Sequence, residues 1–158
     1  MKKITPFLWF DTQAEEAMNF YVSVFKNSKV LGVSRGADGR AQSVNFELEG
    51  QEFIGFNAGP EFKFNEAISF FVDCKTQKEV DELWNKLTAD GGEESQCGWL
   101  KDKFGLSWQI IPSALGELMS DPDPVKAQRV VQAMLKMRKI VITDLQRAYE
   151  QESETARS

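Results

Sequence analysis

An internal repeat limits the folds open to this chain. Thr5-Pro-Phe-Leu-Trp-Phe-Asp11 reads as a strand ending in Asp, and Ala67-Ile-Ser-Phe-Phe-Val-Asp73 reads the same way. A helix start follows each strand. Thr12-Gln-Ala-Glu15 and Thr76-Gln-Lys-Glu79 both fit the capping box, in which a Thr oxygen and a Glu carboxylate satisfy free helix amides. The first helix then carries Ala14, Ala17, Met18, Tyr21, Val24 and Phe25 at helical spacing, and the second carries Val80, Leu83, Trp84 and Leu87. Three strand-like runs come next in each half: 29–34, 43–49 and 51–57, then 93–97, 99–103 and 106–111. Gly36-Ala-Asp-Gly39, Glu49-Gly50 and Phe104-Gly105 supply the turns. Gly50-Gln-Glu-Phe-Ile54 and Gly105-Leu-Ser-Trp-Gln109 occupy equivalent places near the end of each half.

The pattern predicts an α+β fold of two βαβββ modules, about 3–58 and 67–112, whose sheets form an open curved sheet or half-barrel within residues 1–112. Each helix covers one sheet face, and the other face must be buried against something or line a cavity for a small ligand. Beyond Pro112, Asp121-Pro-Asp-Pro124 turns into a helix with Ala127, Val130, Val131, Met134 and Leu135 on one stripe. Thr143-Asp-Leu-Gln146 is a further capping box before Leu145, Ala148 and Tyr149. Residues 113–152 thus read as a helical extension of the same domain, packing on the barrel or on a second subunit, and 153–158 as a frayed polar tail.

The chain has no histidine among its 158 residues. Ser-His-Asp and Cys-His catalysis, two-His zinc helices and 2-His-1-carboxylate iron sites are therefore excluded. No Gly-x-x-x-x-Gly-Lys loop or Gly-x-Gly-x-x-Gly turn is present, so the common nucleotide sites have no support. The net charge of −5 gives no general attraction to nucleic acid or anionic lipid. The apolar run after Met1-Lys2-Lys3 stops at Asp11 and has no small-residue cleavage site, and no segment has the length of a membrane span. These points predict a cytoplasmic protein with no nucleic-acid or membrane partner.

Two cysteines make no disulfide framework in such a chain. Cys74 and Cys97 read as small core residues; the alternative for Cys97 is a reactive thiol facing a pocket, with only Lys101 or Lys103 near in sequence to lower its pKa. Asp102 and Lys103, in a turn, read as solvated surface rather than as an acid and base. Glu15-Glu16 and Glu93-Glu94 read as helix-start and loop charge.

Strand alternation sorts the side chains. With Pro6, Leu8 and Phe10 toward the helix, Thr5, Phe7 and Trp9 face the concave side. With Ile68, Phe70 and Val72 inward, Ala67, Ser69 and Phe71 face it in the second module. Asn45, Phe56, Cys97, Trp99 and Gln109 complete the expected ligand-binding set, in which aromatics suit a flat apolar molecule and the polar groups orient it.

The chain resembles the vicinal-oxygen-chelate (glyoxalase/bleomycin-resistance/dioxygenase) superfamily, and within it the PhnB-like branch often labelled 3-demethylubiquinone-9 3-methyltransferase. The segments that carry the likeness are Thr5-Pro-Phe-Leu-Trp-Phe10, Ala17-Met-Asn-Phe-Tyr21, Gly55-Phe-Asn-Ala-Gly-Pro60, Phe62-Lys-Phe-Asn65, Ile68-Ser-Phe70, Cys97 to Pro112, Met134 to Met137 and Leu145 to Tyr149. In metal-dependent members each half supplies one ligand from its first strand and one from its last. The resemblance places these at Thr5, Ala67, Ile54 and Gln109, a set without imidazole or carboxylate, and so implies a site with no metal and no cofactor. It also implies a homodimer. The expected function is metal-free binding of a small apolar or aromatic molecule. A metal-independent enzyme acting on a small metabolite is the alternative, and a purely structural dimer module is a third reading. Methyl transfer is disfavoured, because a Gly-rich loop after a strand of a doubly wound sheet, the usual seat of S-adenosylmethionine, is missing.

Overall fold

A computed structural model describes residues 2–151; the tail expected at 153–158 lies outside the described residues. The chain divides into two compact units, one ending at Asn65 and one starting at Glu66. Both build the same motif from the same alternation of apolar residues. Among the described residues no helix is long and apolar enough to cross a membrane.

The first unit runs β1 (Phe7–Phe10), α1 (Ala14–Val24), β2 (Ser28–Arg35), β3 (Ala41–Leu48) and β4 (Gln51–Asn57). Its sheet has the order β1-β4-β3-β2, with β1 parallel to β4 and the other pairs antiparallel. Leu8, Phe10, Val44, Phe46, Leu48 and Phe53 are buried, as are Ala14, Ala17, Met18, Tyr21 and Val24 on α1. Tyr21 stacks on Phe46 with ring centres 6.1 Å apart, and Phe46 on Phe53 at 5.4 Å. Burying each such side chain contributes about 1.5–3 kcal/mol, so this layer fixes which sheet face the helix covers. Gly55 lets the layer close: a Cβ there would sit 2.9 Å from Val44 Cγ2 and 3.5 Å from Ala14 Cβ. Glu49 and Gly50, at φ 49° and 85°, make the two-residue turn that sets the β3–β4 register.

The second unit repeats the plan with β5 (Ser69–Cys74), α2 (Gln77–Thr88), β6 (Glu93–Glu94), β7 (Trp99–Lys101) and β8 (Ser107–Pro112). Its order β5-β8-β7-β6, with β5 parallel to β8, matches that of the first unit. Leu100, Trp108 and Ile110 are buried on the helix side with Val80, Leu83, Trp84 and Leu87. Three helices follow: α3 (Ser113–Met119), α4 (Pro124–Leu135) and α5 (Ile142–Glu150). They enclose a core of Ile111, Leu115, Val130, Ile140 and Leu145, so the extension packs on β8 through Ile111. Helix α3 has no sequence signal, since Gly116 and a length of 7 residues hide its period.

Several local expectations need correction. Only the Thr76 cap forms as expected, its oxygen accepting from Glu79 N–H while Glu79 accepts from Lys75 N–H. At α1 the cap residue is Gln13, and Asn57 Oδ1 accepts from Ala14 N–H at 2.9 Å instead of Thr12. Helix α5 begins before Thr143, and Gln77 Oε1 accepts from Ile142 N–H at 2.7 Å. Ile68 does not pack inward but is 70% exposed, because β5 starts only at Ser69. The run 93–97 is a strand only at Glu93–Glu94, since Cys97 at φ 59° and Gly98 at φ 84° turn the chain.

Candidate functional site

The helix-free face of the first sheet carries an aromatic surface. Strand register aligns Phe7 with Ile54 and Ile54 with Asn45 in one row, and Trp9 with Phe56 and Phe56 with Ser43 in the next. Side chains in register across neighbouring strands share a face. Phe7 is 59% exposed and Phe56 37%, and their rings lie 5.8 Å apart. Trp9 is held by its indole N–H donating to Gly59 O at 2.9 Å, and Phe62 meets it edge-on at 4.8 Å. Phe62 and Ser43 were missed as site residues: Phe62 lies outside any strand period, and Ser43 has no chemistry to mark it. Asn45 is half-buried in the same rows and offers both a donor and an acceptor.

The second unit presents a more polar version of that face. Phe71, Gln109 and Trp99 align in one row, and Ser69, Ser107, Lys101 and Glu93 in the next. Gln109 Nε2 donates to Ser69 Oγ at 2.9 Å, which fixes the amide beside Phe71 and Trp99. Phe71 is 61% exposed. Ser107 is buried and its hydroxyl has no hydrogen-bond partner. Lys101 forms an ion pair with Glu66, a residue that sequence reasoning passed over because it lies just ahead of the strand.

That pair shifts both groups. The hydrogen bond from Lys101 holds the Glu66 carboxyl below its ordinary value of 4.5, and the same bond raises the Lys101 ammonium above 10.5. A depressed carboxylate pKa contributes stability that is present above 4.5 and is lost as pH falls through the lowered value. For the raised lysine the contribution is complete below 10.5 and is lost as pH rises through the folded value. A carbon-13 NMR titration should place the Glu66 midpoint below 4.5, and Lys101→Met should raise it toward that value, a backbone hydrogen bond keeping part of the depression. An unchanged midpoint in the variant would show that Lys101 is not the cause.

Register also revises the metal-position analogy. Phe7 pairs with Ile54 and Trp9 with Phe56, whereas Ser69 pairs with Ser107 and Phe71 with Gln109. With Trp9 and Phe71 as equivalents, the counterpart of Gln109 is Phe56, not Ile54. The revision leaves the donors no better: Thr5, Ala67, Phe56 and Gln109 provide one hydroxyl and one amide. A divalent cation needs more charge and donor strength, so this set does not fit one. Among the described residues no three His, Cys, Asp or Glu side chains are grouped to hold a metal.

The remaining candidates fall outside these faces. Cys74 is buried in the core, and burial, aided by Glu79 and Asp73, pushes its thiol up to about 12. Cys97 is half-buried in the turn before β7, its N–H donating to Met137 O at 2.8 Å, and no strand orients it. Asp102 is not solvated surface: it is 3% exposed and accepts from Phe104 N–H, Leu106 N–H and the Trp108 indole. Lys103 is half-buried over the Phe104 ring. Glu94 accepts from the Trp84 indole at 2.6 Å, so it anchors β6 to α2 rather than serving as loop charge alone. Glu15 pairs with Arg35 at 2.5 Å.

A family model described as 3-demethylubiquinone-9 3-methyltransferase matches residues 2–111. The chain is 36% identical to the PhnB protein from Bacillus cereus, with a TM-score of 0.67, over 71% of this chain and 100% of that one. A Pseudomonas aeruginosa protein shares the fold at 15% identity and a TM-score of 0.57, covering 71% of this chain and 98% of the other. A glyoxalase-related enzyme from Fulvimarina pelagi does so at 11% identity and a TM-score of 0.50, covering 72% and 91%. No curated protein matches the chain.

Proposed function

The chain belongs to the 3-demethylubiquinone-9 3-methyltransferase (PhnB-like) family of the vicinal-oxygen-chelate superfamily, and on that premise we propose that it binds a small, flat, largely apolar molecule without a metal. The observation that carries this reading is the bare aromatic face of Phe7, Phe56, Trp9 and Phe62. A folded chain leaves such rings in water at a cost, and a stacked ligand removes it. Asn45, half-buried in the same rows, supplies a polar contact that orients the ligand. In the same reading the protein is a cytoplasmic homodimer. The exposed Val30 and Leu31 on the edge strand β2 favour such self-association.

Metal-independent catalysis is the second reading, favoured by the Lys101–Glu66 pair on the polar face. A methyltransferase activity on a demethylated quinol, as the family's name suggests, lacks a Gly-rich donor loop in this chain.

The first reading is tested with 1-naphthol, a neutral flat aromatic, titrated against tryptophan fluorescence. The Phe7→Ala, Phe56→Ala double variant should bind about tenfold more weakly, the equivalent of about 1.4 kcal/mol. Because both rings are exposed, its circular dichroism should match the parent. Equal affinity in the two proteins would remove the aromatic face as the site.

A further inference from the structure

The helical extension carries a second concave site, unrelated to the sheet faces. Helices α4 and α5 border a groove of about 630 Å³. Its walls include Val125, Ala133 and Ala148, which are apolar, and Gln128, Arg129 and Lys136, which are not. Among the described residues that line it none is acidic, and Arg129 and Lys136 give them a positive charge.

Arg129 is the informative residue. Its Nε is out of contact with solvent and has no hydrogen-bond partner. An orphaned donor on a cation is costly, because the guanidinium has lost water on that edge and gained nothing for it. Every other cation of the extension at α4 and α5 that makes a polar or ring contact does so elsewhere: Lys126 lies over the Tyr149 ring, and Arg147 pairs with Asp144. Lys136 follows the last turn of α4, seven positions beyond Arg129, which on a helix places both cations on the same side of the groove.

We infer that this groove binds an amphipathic carboxylate, a small molecule with an anionic head and an aliphatic or aryl body. The planar guanidinium matches a carboxylate through two parallel hydrogen bonds, one of them from Nε after a modest rotation of the side chain. Lys136 adds charge, the Gln128 amide adds a donor, and the apolar body lies on Val125, Ala133 and Ala148. The site works independently of any ligand on the sheets, so it offers the protein a second metabolite to respond to.

Octanoate is the test probe, with 1-octanol as its uncharged counterpart, titrated by calorimetry against the full chain. Octanoate should bind, octanol should bind at least about tenfold more weakly, and Arg129→Gln should weaken octanoate by about tenfold while leaving octanol unchanged. Lys136→Gln should produce a smaller loss and steepen no salt dependence. Thermal unfolding of Arg129→Gln should match or exceed that of the parent, since the orphaned Nε makes no bond to lose. The inference is overturned if octanoate does not bind, if octanol binds as well as octanoate, or if a folded Arg129→Gln variant binds octanoate undiminished. A folded variant that keeps 1-naphthol binding while losing octanoate separates this site from the sheet faces.

Discussion

Replacing Asp102 with alanine should lower the free energy of unfolding by about 3 kcal/mol, measured by urea denaturation followed by circular dichroism. The carboxylate is 3% exposed and receives three donors: Phe104 N–H at 2.9 Å, Leu106 N–H at 3.1 Å and the Trp108 indole N–H at 2.9 Å. Truncation strands all three. The two backbone donors can regain water as the turn loosens, but the indole is 2% exposed and cannot. Asp102→Asn keeps one acceptor oxygen and turns an amide N–H2 toward the other donors, so about half the loss is expected. The same turn joins β7 to β8 and therefore positions Trp99 against Gln109 on the face of the second unit. A stability within about 0.5 kcal/mol of the parent would show that the network is not cooperative.

Gly98→Ala is expected to cost a similar amount, about 3 kcal/mol, by a different route. Gly98 sits at φ 84°, where an alanine is strained by itself. Its Cβ would also lie 2.6 Å from Ile111 Cδ1, 3.1 Å from Ile140 Cγ1 and 3.1 Å from Ile110 O. The Ile111 methyl end can shift, but the Ile140 contact is a methylene inside the side chain and the Ile110 carbonyl is backbone of strand β8. Gly98 N–H donates to Arg138 O at 2.8 Å and its carbonyl accepts from Ile110 N–H, so the position is pinned from both sides. Gly105→Ala is the control: it has a similar φ of 87° but open space around the added carbon. It should lose only about 1 kcal/mol, and the difference between the two variants isolates the packing part. Equal losses would mean that the Ile111–Ile140 contact yields without cost.

Most of the fold was legible because two periods coexist in each half. Leu8 and Phe10, or Val44, Phe46 and Leu48, alternate as a one-sided strand must, and Ala14, Ala17, Met18, Tyr21 and Val24 follow the helix. What escaped was mostly long-range. Asn57 caps a helix 43 positions earlier and Gln77 caps one 65 positions later, while the local Thr12 and Thr143 signals go unused. Asp102 looked like surface because a turn acid usually is, and only the fold brings the Trp108 indole onto it. The pairing of Ile54 with Gln109 failed for a geometric reason. Counting from Gly50 and Gly105 assumes equal turns, but β3–β4 closes with two residues while β7–β8 spans the longer turn from Asp102 to Leu106. The open-face residues Phe7, Trp9, Asn45 and Phe56 do fall on one face of the first sheet. Ser69, Phe71, Trp99 and Gln109 do so on the second, whereas Cys97 falls in a turn outside either sheet.

The central claim is that ligand binding by this chain needs no metal. It is tested most directly by measuring 1-naphthol affinity on protein purified without chelator, then again after exhaustive EDTA treatment, with metal content determined on both samples. The account expects sub-stoichiometric zinc, nickel, manganese and iron and the same affinity before and after. A near-stoichiometric metal whose removal abolishes binding would contradict it.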